Sequence, residues 1–165
     1  MTVTDVQKDL DTLTLTITAA FGAPAVRVWQ LWADPRQLER WWGPPTYPAT
    51  FTRHELVPGG AVAYFMTSPE GERYHGWWRF VSVEPPRSLR FEDGFADADG
   101  NRNDELPTSV ITVTLAEPAR GGTVMTIESR FPSRGAMEQV LAMGAEEGMT
   151  LALGQIDELL AEHPA

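Results

Sequence analysis

Six segments with strand-like patterning follow one another between residues 50 and 131, and only turns or short loops separate them. Residues 61–67 place Val62, Tyr64 and Met66 on one face, and residues 108–116 alternate in the same way. A period of two residues predicts β-strands. Because parallel neighbours need long crossovers, strands joined by short turns must pair antiparallel. The chain is therefore constrained to an antiparallel meander with one face towards a core.

The segments on either side of this meander complete the predicted fold. An alternating strand covers residues 13–19, and Pro24 and the Asp34-Pro35 pair predict the starts of two short helices. A long helical pattern follows the last strand. The order predicts an α+β fold, in which a curved antiparallel sheet of about seven strands wraps on a long C-terminal helix.

The C-terminal segment, residues 133–163, predicts one amphipathic helix, because its apolar residues recur at steps of three and four. Ser133 is placed to cap its first turn. Gly144 and Gly148 lie on the apolar stripe, where each costs about 1 kcal/mol relative to alanine. Either another backbone approaches the helix closely there, or the missing side chains leave space for a ligand.

Composition narrows the classes of protein that the chain can represent. Its 165 residues carry a net charge of −10 and no cysteine. The acidic balance argues against nucleic acid and anionic membrane surfaces, and the absence of a long apolar run argues against membrane insertion. The first residues do not form a signal peptide, so we expect a cytoplasmic protein. We also expect residues 1–12 to be a flexible tail and residues 13–163 to form a single domain.

Several short strings, in the same order along the chain, resemble one known family. They are VWQLWADP at 28–35, WWGP at 41–44, PGG at 58–60, EPPRSL at 84–89, GTVMTI at 122–127 and MGAEEGM at 143–149. These strings are similar to the homologues of the activator of the 90-kDa heat-shock protein's ATPase, which belong to the START-like (SRPBCC) superfamily. The resemblance implies the helix-grip fold and a single START-like domain over 13–163.

One position departs from the family pattern in a way that bears on a cavity. The family usually has Trp after the second glycine of the helix, and this chain has Met149. Methionine is smaller and more flexible than tryptophan. If Met149 faces the cavity, we expect a roomier pocket than in relatives.

The resemblance implies three functions, which stay open at this point. The first is binding of a hydrophobic or aromatic small molecule between sheet and helix. The second is regulation of the 90-kDa chaperone's ATPase, or another stress-related interaction. The third is a polyketide cyclase or aromatase-like enzyme that uses an inward carboxylate or His, which we favour less than binding. The macromolecular partners that we consider are a chaperone, for the second function, and a second copy of the chain.

The alternation of the strands and the position of the glycines together predict which side chains face a cavity. Asp93 is in step with Phe91, and Glu147 flanks the glycine face of the helix. A carboxylate there would have a pKa raised by desolvation, and would suit a general base or a ligand anchor. The predicted set is Trp41, Trp42, His54, Tyr64, Met66, Trp78, Phe91, Asp93, Met143 and Glu147. No ligand spacing typical of a transition-metal site occurs, so we expect no metal and no cofactor.

Overall fold

The computed structural model describes residues 3–162 of the chain. Eight strands and five helices follow in the order β1 Val3–Asp9, β2 Thr14–Phe21, α1 Ala25–Ala33, α2 Pro35–Trp41, β3 Ala49–His54, β4 Ala61–Thr67, β5 Arg73–Glu84, β6 Ser88–Ala96, β7 Ser109–Ala116, β8 Thr123–Arg130, α3 Arg134–Ala142, α4 Ala145–Leu153 and α5 Ile156–Glu162.

The strands form one antiparallel sheet in the order β1-β2-β8-β7-β6-β5-β4-β3. Strands β3 to β8 pair with their neighbours in sequence, which confirms the predicted meander and the α+β helix-grip class. Strand β2 closes back on β8, with Ile17 opposite Ile127. The sheet has eight strands, where the sequence predicted about seven.

The additional strand lies in the segment that was predicted to be a flexible tail, and that prediction is wrong for residues 3–9. Val6 pairs with Ile17, and Lys8 pairs with Leu15. Backbone hydrogen bonds hold this edge strand, so its mostly polar side chains do not reveal it in the sequence. Charged side chains on an edge strand also oppose pairing with a second sheet. Residues 1 and 2 lie outside the described residues.

Aromatic side chains of α1 and α2 pack against the inner face of the sheet. The Trp32 ring centroid lies 4.7 Å from that of Trp41 and 6.2 Å from that of Trp78. Trp78 in turn stacks on Phe91 with centroids 4.2 Å apart. Trp32, Trp41, Trp78 and Phe91 are at most 1% exposed. Such pairs add to the free energy of burial through their edge-to-face and offset geometries.

The two short helices begin where the sequence predicted. Asp34 Oδ1 accepts a 2.9 Å hydrogen bond from the Arg36 backbone N–H, and Pro35 opens α2. The Trp41 indole N–H donates a 2.9 Å hydrogen bond to the Leu31 carbonyl at the end of α1. The two helices are therefore joined by a polar contact as well as by ring packing.

The C-terminal segment is three helices rather than the single long helix that the sequence predicted. Ser133 Oγ does cap α3, accepting a 3.0 Å hydrogen bond from the Ala136 N–H. The helix then ends at Ala142, with Met143 as its C-cap, because Gly144 adopts φ +86°, a left-handed conformation that glycine reaches without strain. A second interruption separates α4 from α5 at residues 154–155. The predicted end at residue 163 lies outside the described residues.

None of the helices within residues 3–162 combines the length and the apolar character that crossing a membrane requires.

The two glycines of the apolar stripe occupy different environments, and alanine should change stability in opposite directions at them. We expect Gly144→Ala to lower the free energy of unfolding by about 1 kcal/mol, because its φ is positive. A Cβ at Gly148 would meet only Pro44 Cγ at 3.7 Å, so Gly148→Ala should raise it by about 0.5–1 kcal/mol through helix propensity. Urea denaturation followed by circular dichroism measures both. Equal effects would contradict the helix break at Gly144.

Candidate functional site

An open cavity of about 530 Å³ lies at the end of the sheet's inner face where α3 stops. Its wall is mostly apolar, with Met66 from β4 and Phe95 from β6. Leu106 from the β6–β7 loop and Met143 from the end of α3 complete this part of the wall. Met143 is 54% exposed, which is unusual for a large apolar side chain. The cavity thus opens to solvent beside the break in the C-terminal helix.

A second, more enclosed cavity of about 80 Å³ lies beneath α3 and α4. Apolar side chains from β2, β7 and β8 form most of its floor, and Met149 of α4 and Val140 of α3 contribute to its cover. Asp93 contributes a carboxyl to the wall, and Ser109 and Ser129 contribute hydroxyls. The space between the sheet and the C-terminal helices is therefore apolar with a few polar groups, as ligand cavities usually are.

The pairing of β5 with β6 shows that the two cavities are neighbours along the sheet. Asp93, which lines the enclosed cavity, pairs with Trp78, and Phe95, which lines the open cavity, pairs with Gly76. Asp93 and Phe95 are two residues apart and so share one face of β6. The region around Gly76 and Trp78 therefore lies between the cavities.

Gly76 makes room for the Tyr64 side chain in this region. A Cβ at Gly76 would lie 2.5 Å from the Tyr64 hydroxyl oxygen, so any other residue there would force the Tyr64 side chain to move. Tyr64 is the cross-strand partner of Gly76 on β4. Its ring can therefore lie flat across β5, with its hydroxyl over the glycine.

Four polar groups converge beside this glycine, and we call them the polar cluster: Tyr64 Oη, the Asp93 carboxyl, and the indole N–H groups of Trp42 and Trp78. The Trp42 ring centroid lies 4.8 Å from that of Trp78 and 6.2 Å from that of Tyr64. Both indole nitrogens are buried and neither donates a well-aligned hydrogen bond, although both face the Tyr64 hydroxyl and that of Trp78 also faces the Asp93 carboxyl. Buried Trp N–H groups usually find a partner, so this pair is exceptional.

The polar cluster shifts the pKa values of its own members. Burial raises the pKa of the Asp93 carboxyl to about 7, although the polar hydrogens of Trp78 and Tyr64 face the carboxyl and partly oppose this rise. Burial, and then the Asp93 charge, raise the pKa of the Tyr64 phenol, so it stays neutral. Near pH 7, Asp93 thus exists in both protonated and ionised forms.

Comparison with known protein families identifies the group to which this arrangement belongs. Residues 22–161 match the family model described as Activator of Hsp90 ATPase homolog 1-like protein. The chain belongs to this family. A comparison with curated proteins found no match.

Solved structures of proteins from several organisms are similar to the chain over nearly its whole length. A crystal structure from Mycobacterium smegmatis is 55% identical, covers 96% of both chains and has a TM-score of 0.89. A solution structure from Arthrobacter aurescens is 52% identical over 98% of this chain and 93% of its own, with a TM-score of 0.93. A Staphylococcus epidermidis protein is 26% identical over 96% and 94%, with a TM-score of 0.83. The family's helix-grip fold is thus shared by proteins of much lower identity.

The structure brings most of the predicted site residues to the region of the two cavities. Trp42, Tyr64, Trp78 and Asp93 form the polar cluster, and Phe91 lies against the Trp78 ring. Met66 and Met143 line the open cavity. The role of these residues in binding stays a prediction.

Three residues of the predicted set lie outside this region. Trp41 is completely buried against α1. His54 Nε2 lies 3.0 Å from the Trp32 carbonyl oxygen, behind α1, and burial lowers the pKa of its ring despite that hydrogen bond. Glu147 is exposed, because the break at Gly144 rotates α4 relative to α3. Its half-buried neighbour Glu146 instead pairs with Lys8 of β1 at 2.8 Å.

The sequence reasoning also missed residues that line the cavities. Phe95 continues the alternation of Phe91 and Asp93, so the strand pattern alone could have identified it. Tyr47 and Leu106 lie in loops, where no periodicity marks a side chain as cavity-facing. Met149 does face the enclosed cavity, which was the condition for a roomier pocket. Within residues 3–162, no group of three or more His, Cys, Asp and Glu side chains could hold a metal ion.

We expect Asp93→Asn to stabilise the protein at alkaline pH and to have little effect near pH 4. In the unfolded chain the Asp93 pKa returns to about 3.8, so between that value and about 7 the folded state binds more protons. Stability conferred by the protonated acid is therefore lost as the pH rises through this window. The amide cannot ionise, and the variant should gain roughly 2–4 kcal/mol relative to the original chain at pH 8.

Urea denaturation at both pH values measures this difference. Asp104→Asn, in an exposed part of the β6–β7 loop, is the matched control and should show no such pH-dependent gain. The His54 contribution is common to all three proteins and cancels in the comparison. A gain at pH 8 no larger than at pH 4 would show that the Asp93 carboxyl is fully hydrated.

Proposed function

We propose that the chain is a small intracellular protein that binds a hydrophobic or aromatic molecule between the sheet and the C-terminal helices. The observation that carries the proposal is the apolar cavity of about 530 Å³ beside the helix break. This volume is within the range typical of small-molecule sites. A cytoplasmic location is part of the proposal, and a homodimer stays a prediction.

The chemistry of the cavity wall favours an apolar ligand body. Met66, Phe95 and Leu106 are half-buried, so they contact one another only in part and leave apolar surface facing the cavity. Covering this surface with a ligand removes it from water at a gain of about 25 cal/mol per Å². Methionine side chains at two points of the wall can adapt to ligands of different shape.

Binding of the neutral fluorescent probe N-phenylnaphthylamine tests the proposal. We expect its emission to rise on addition of the protein and to saturate. Phe95→Glu should weaken binding at least about tenfold, because it replaces apolar wall by a charge that binding would desolvate. Fluorescence titration measures both affinities.

Val81→Glu is the matched control for this experiment. Val81 is also an apolar residue of the same sheet, in β5, but it is exposed and lines neither cavity. This variant should bind the probe as the original chain does. Circular dichroism establishes that both variants are folded. Equal loss of binding in both variants, or no binding by the original chain, would contradict a ligand in the cavity.

Chaperone regulation remains the second candidate, since the family's description refers to activation of the Hsp90 ATPase. An interaction protein usually presents a contiguous apolar patch. The large exposed apolar residues of this chain belong to several different elements, among them Val26 of α1, Val81 of β5 and Leu151 of α4. We therefore place this function behind small-molecule binding.

An enzymatic function is favoured by one specific observation, the raised pKa of Asp93. A carboxylate with a pKa near neutrality is suited to removing a proton next to a carbonyl group. Benzoylacetone in deuterated water provides a test, because its central methylene protons exchange after such removal. If Asp93 acts as a base, the original chain accelerates the exchange and Asp93→Asn does not. Equal exchange with both proteins would rule out this role.

A further inference from the structure

The side chains that line the open cavity differ in charge from the chain as a whole. The chain carries 23 acidic and 13 basic residues, and its net charge is −10. Among the described residues, however, no Asp or Glu lines this cavity, whereas Arg73 and His75 do. The wall of the cavity therefore combines apolar surface with the positive charge of one guanidinium.

The edge of β5 explains how Arg73 reaches a cavity whose apolar wall lies on the inner face of the sheet. Consecutive residues of a strand point to opposite faces, so Tyr74 lies on the inner face with Met66, and Arg73 lies on the outer face. The described pairing of β6 with β5 ends at His75, opposite Ala96. Both Arg73 and Tyr74 line the cavity. The cavity therefore extends past this edge of β5, where the two faces of the sheet meet.

The exposed Arg73 guanidinium is available to bind an anion. It lies over the Phe65 ring, 4.3 Å from the ring centroid, and none of the ion pairs within residues 3–162 includes it. Stacking occupies the face of a guanidinium and leaves the N–H donors at its edge, which match the two oxygens of a carboxylate. The His75 ring packs against the same Phe65, with centroids 5.5 Å apart, and brings a further N–H donor to this place.

The acidic side chains next to the cavity in sequence bind other groups. Glu72 Oε2 accepts a 2.8 Å hydrogen bond from the Tyr74 hydroxyl. Asp97 Oδ1 accepts hydrogen bonds of 2.9 and 3.0 Å from two backbone N–H groups of its own loop. These carboxylates therefore stabilise the local structure and leave the Arg73 charge for another partner.

We propose that the ligand is an apolar or aromatic carboxylic acid, whose carboxylate pairs with Arg73 at the edge of β5 and whose body covers the apolar wall. This inference rests on the proposed binding function and names the class of ligand. The body and the charged group of such a molecule would each meet a matching part of the same cavity.

A cationic ligand is the alternative that the cavity itself suggests. The rings of Tyr47 and Tyr74 have centroids 6.1 Å apart, and aromatic faces attract cations. In this cavity, however, a cation would meet the like charge of Arg73, and the described lining contains no carboxylate to offset it. The observations therefore favour the anion.

Three biphenyl derivatives of nearly equal shape separate these alternatives: biphenyl-4-carboxylate, biphenyl-4-carboxamide and biphenyl-4-ylmethylamine. Near neutral pH they carry a negative charge, no charge and a positive charge. Each is titrated against the protein with bound N-phenylnaphthylamine, and displacement of the probe measures affinity. We expect the carboxylate to bind at least about fivefold more tightly than the carboxamide, the effect of a charge-assisted pair that stays open to solvent.

The arginine variants show where the preference arises. Arg73→Gln should bring the ratio of the two affinities to about one and leave the carboxamide affinity unchanged. Arg73→Lys should keep part of the preference, because it keeps the charge and loses the forked donors. Arg79→Gln is the matched control and should keep the full ratio. Arg79 is an exposed residue on the same strand and face, and it lines neither cavity.

The outcomes distinguish this inference from the proposed function. Equal affinity for the carboxylate and the carboxamide overturns the carboxylic acid and leaves apolar binding intact. A preference that Arg73→Gln and Arg79→Gln reduce equally overturns the pairing with Arg73, because it then arises from the overall charge. Tighter binding of the amine overturns the inference in favour of the tyrosine pair. If neither the probe nor any of the three molecules binds, the proposed function itself is wrong.

Discussion

The packing of tryptophan side chains from α1 and α2 onto the centre of the sheet is the constraint on which the rest of the structure depends. Trp32 contacts Trp41, Trp42, Trp78 and Phe91, and their ring centroids lie 4.7 to 6.2 Å from its own. These rings fill the inner face there completely. Any space for a ligand must therefore lie farther along the sheet, where the C-terminal helices form the cover. The same cluster also holds Trp42 and Trp78, whose N–H groups face Tyr64 and, for Trp78, also Asp93.

The polar cluster is exceptional because it combines burial with incomplete hydrogen bonding. A protein interior normally pairs its polar groups, since each unpaired group costs free energy that the folded state must offset elsewhere. In this chain two indole donors reach only poorly aligned acceptors, the Tyr64 hydroxyl and the Asp93 carboxyl, and Asp93 has a pKa of about 7. Departures of this kind are concentrated at functional sites. Asp93 also lines the enclosed cavity, so the cluster borders the space between the sheet and the C-terminal helices.

Glycine at two positions creates this geometry by different means. Gly76 has no Cβ, so Tyr64 can lie across β5. Gly144 adopts a positive φ and ends α3, so α4 starts in a new direction and Met143 is left at the rim of the open cavity. The sheet is thus covered by two helices, α3 and α4, that run in different directions on either side of Gly144. A single straight helix would place different residues over the sheet.

The sequence by itself determined the α+β class, the meander from β3 to β8, the two short helices and the cap at Ser133, because these depend on local periodicity and turn chemistry. It also placed Tyr64, Met66, Phe91 and Asp93 on the inner face, since parity along a strand is a local property. Only the tertiary structure decided three further features. The pairing of β1 comes from backbone hydrogen bonds that leave no side-chain pattern. The left-handed conformation of Gly144 depends on what surrounds it, and this conformation exposes Glu147 and breaks the predicted helix. The difference between Trp41 and its neighbours Trp42 and Trp78 depends on which acceptors lie within reach, and that is fixed only when distant segments of the chain pack together.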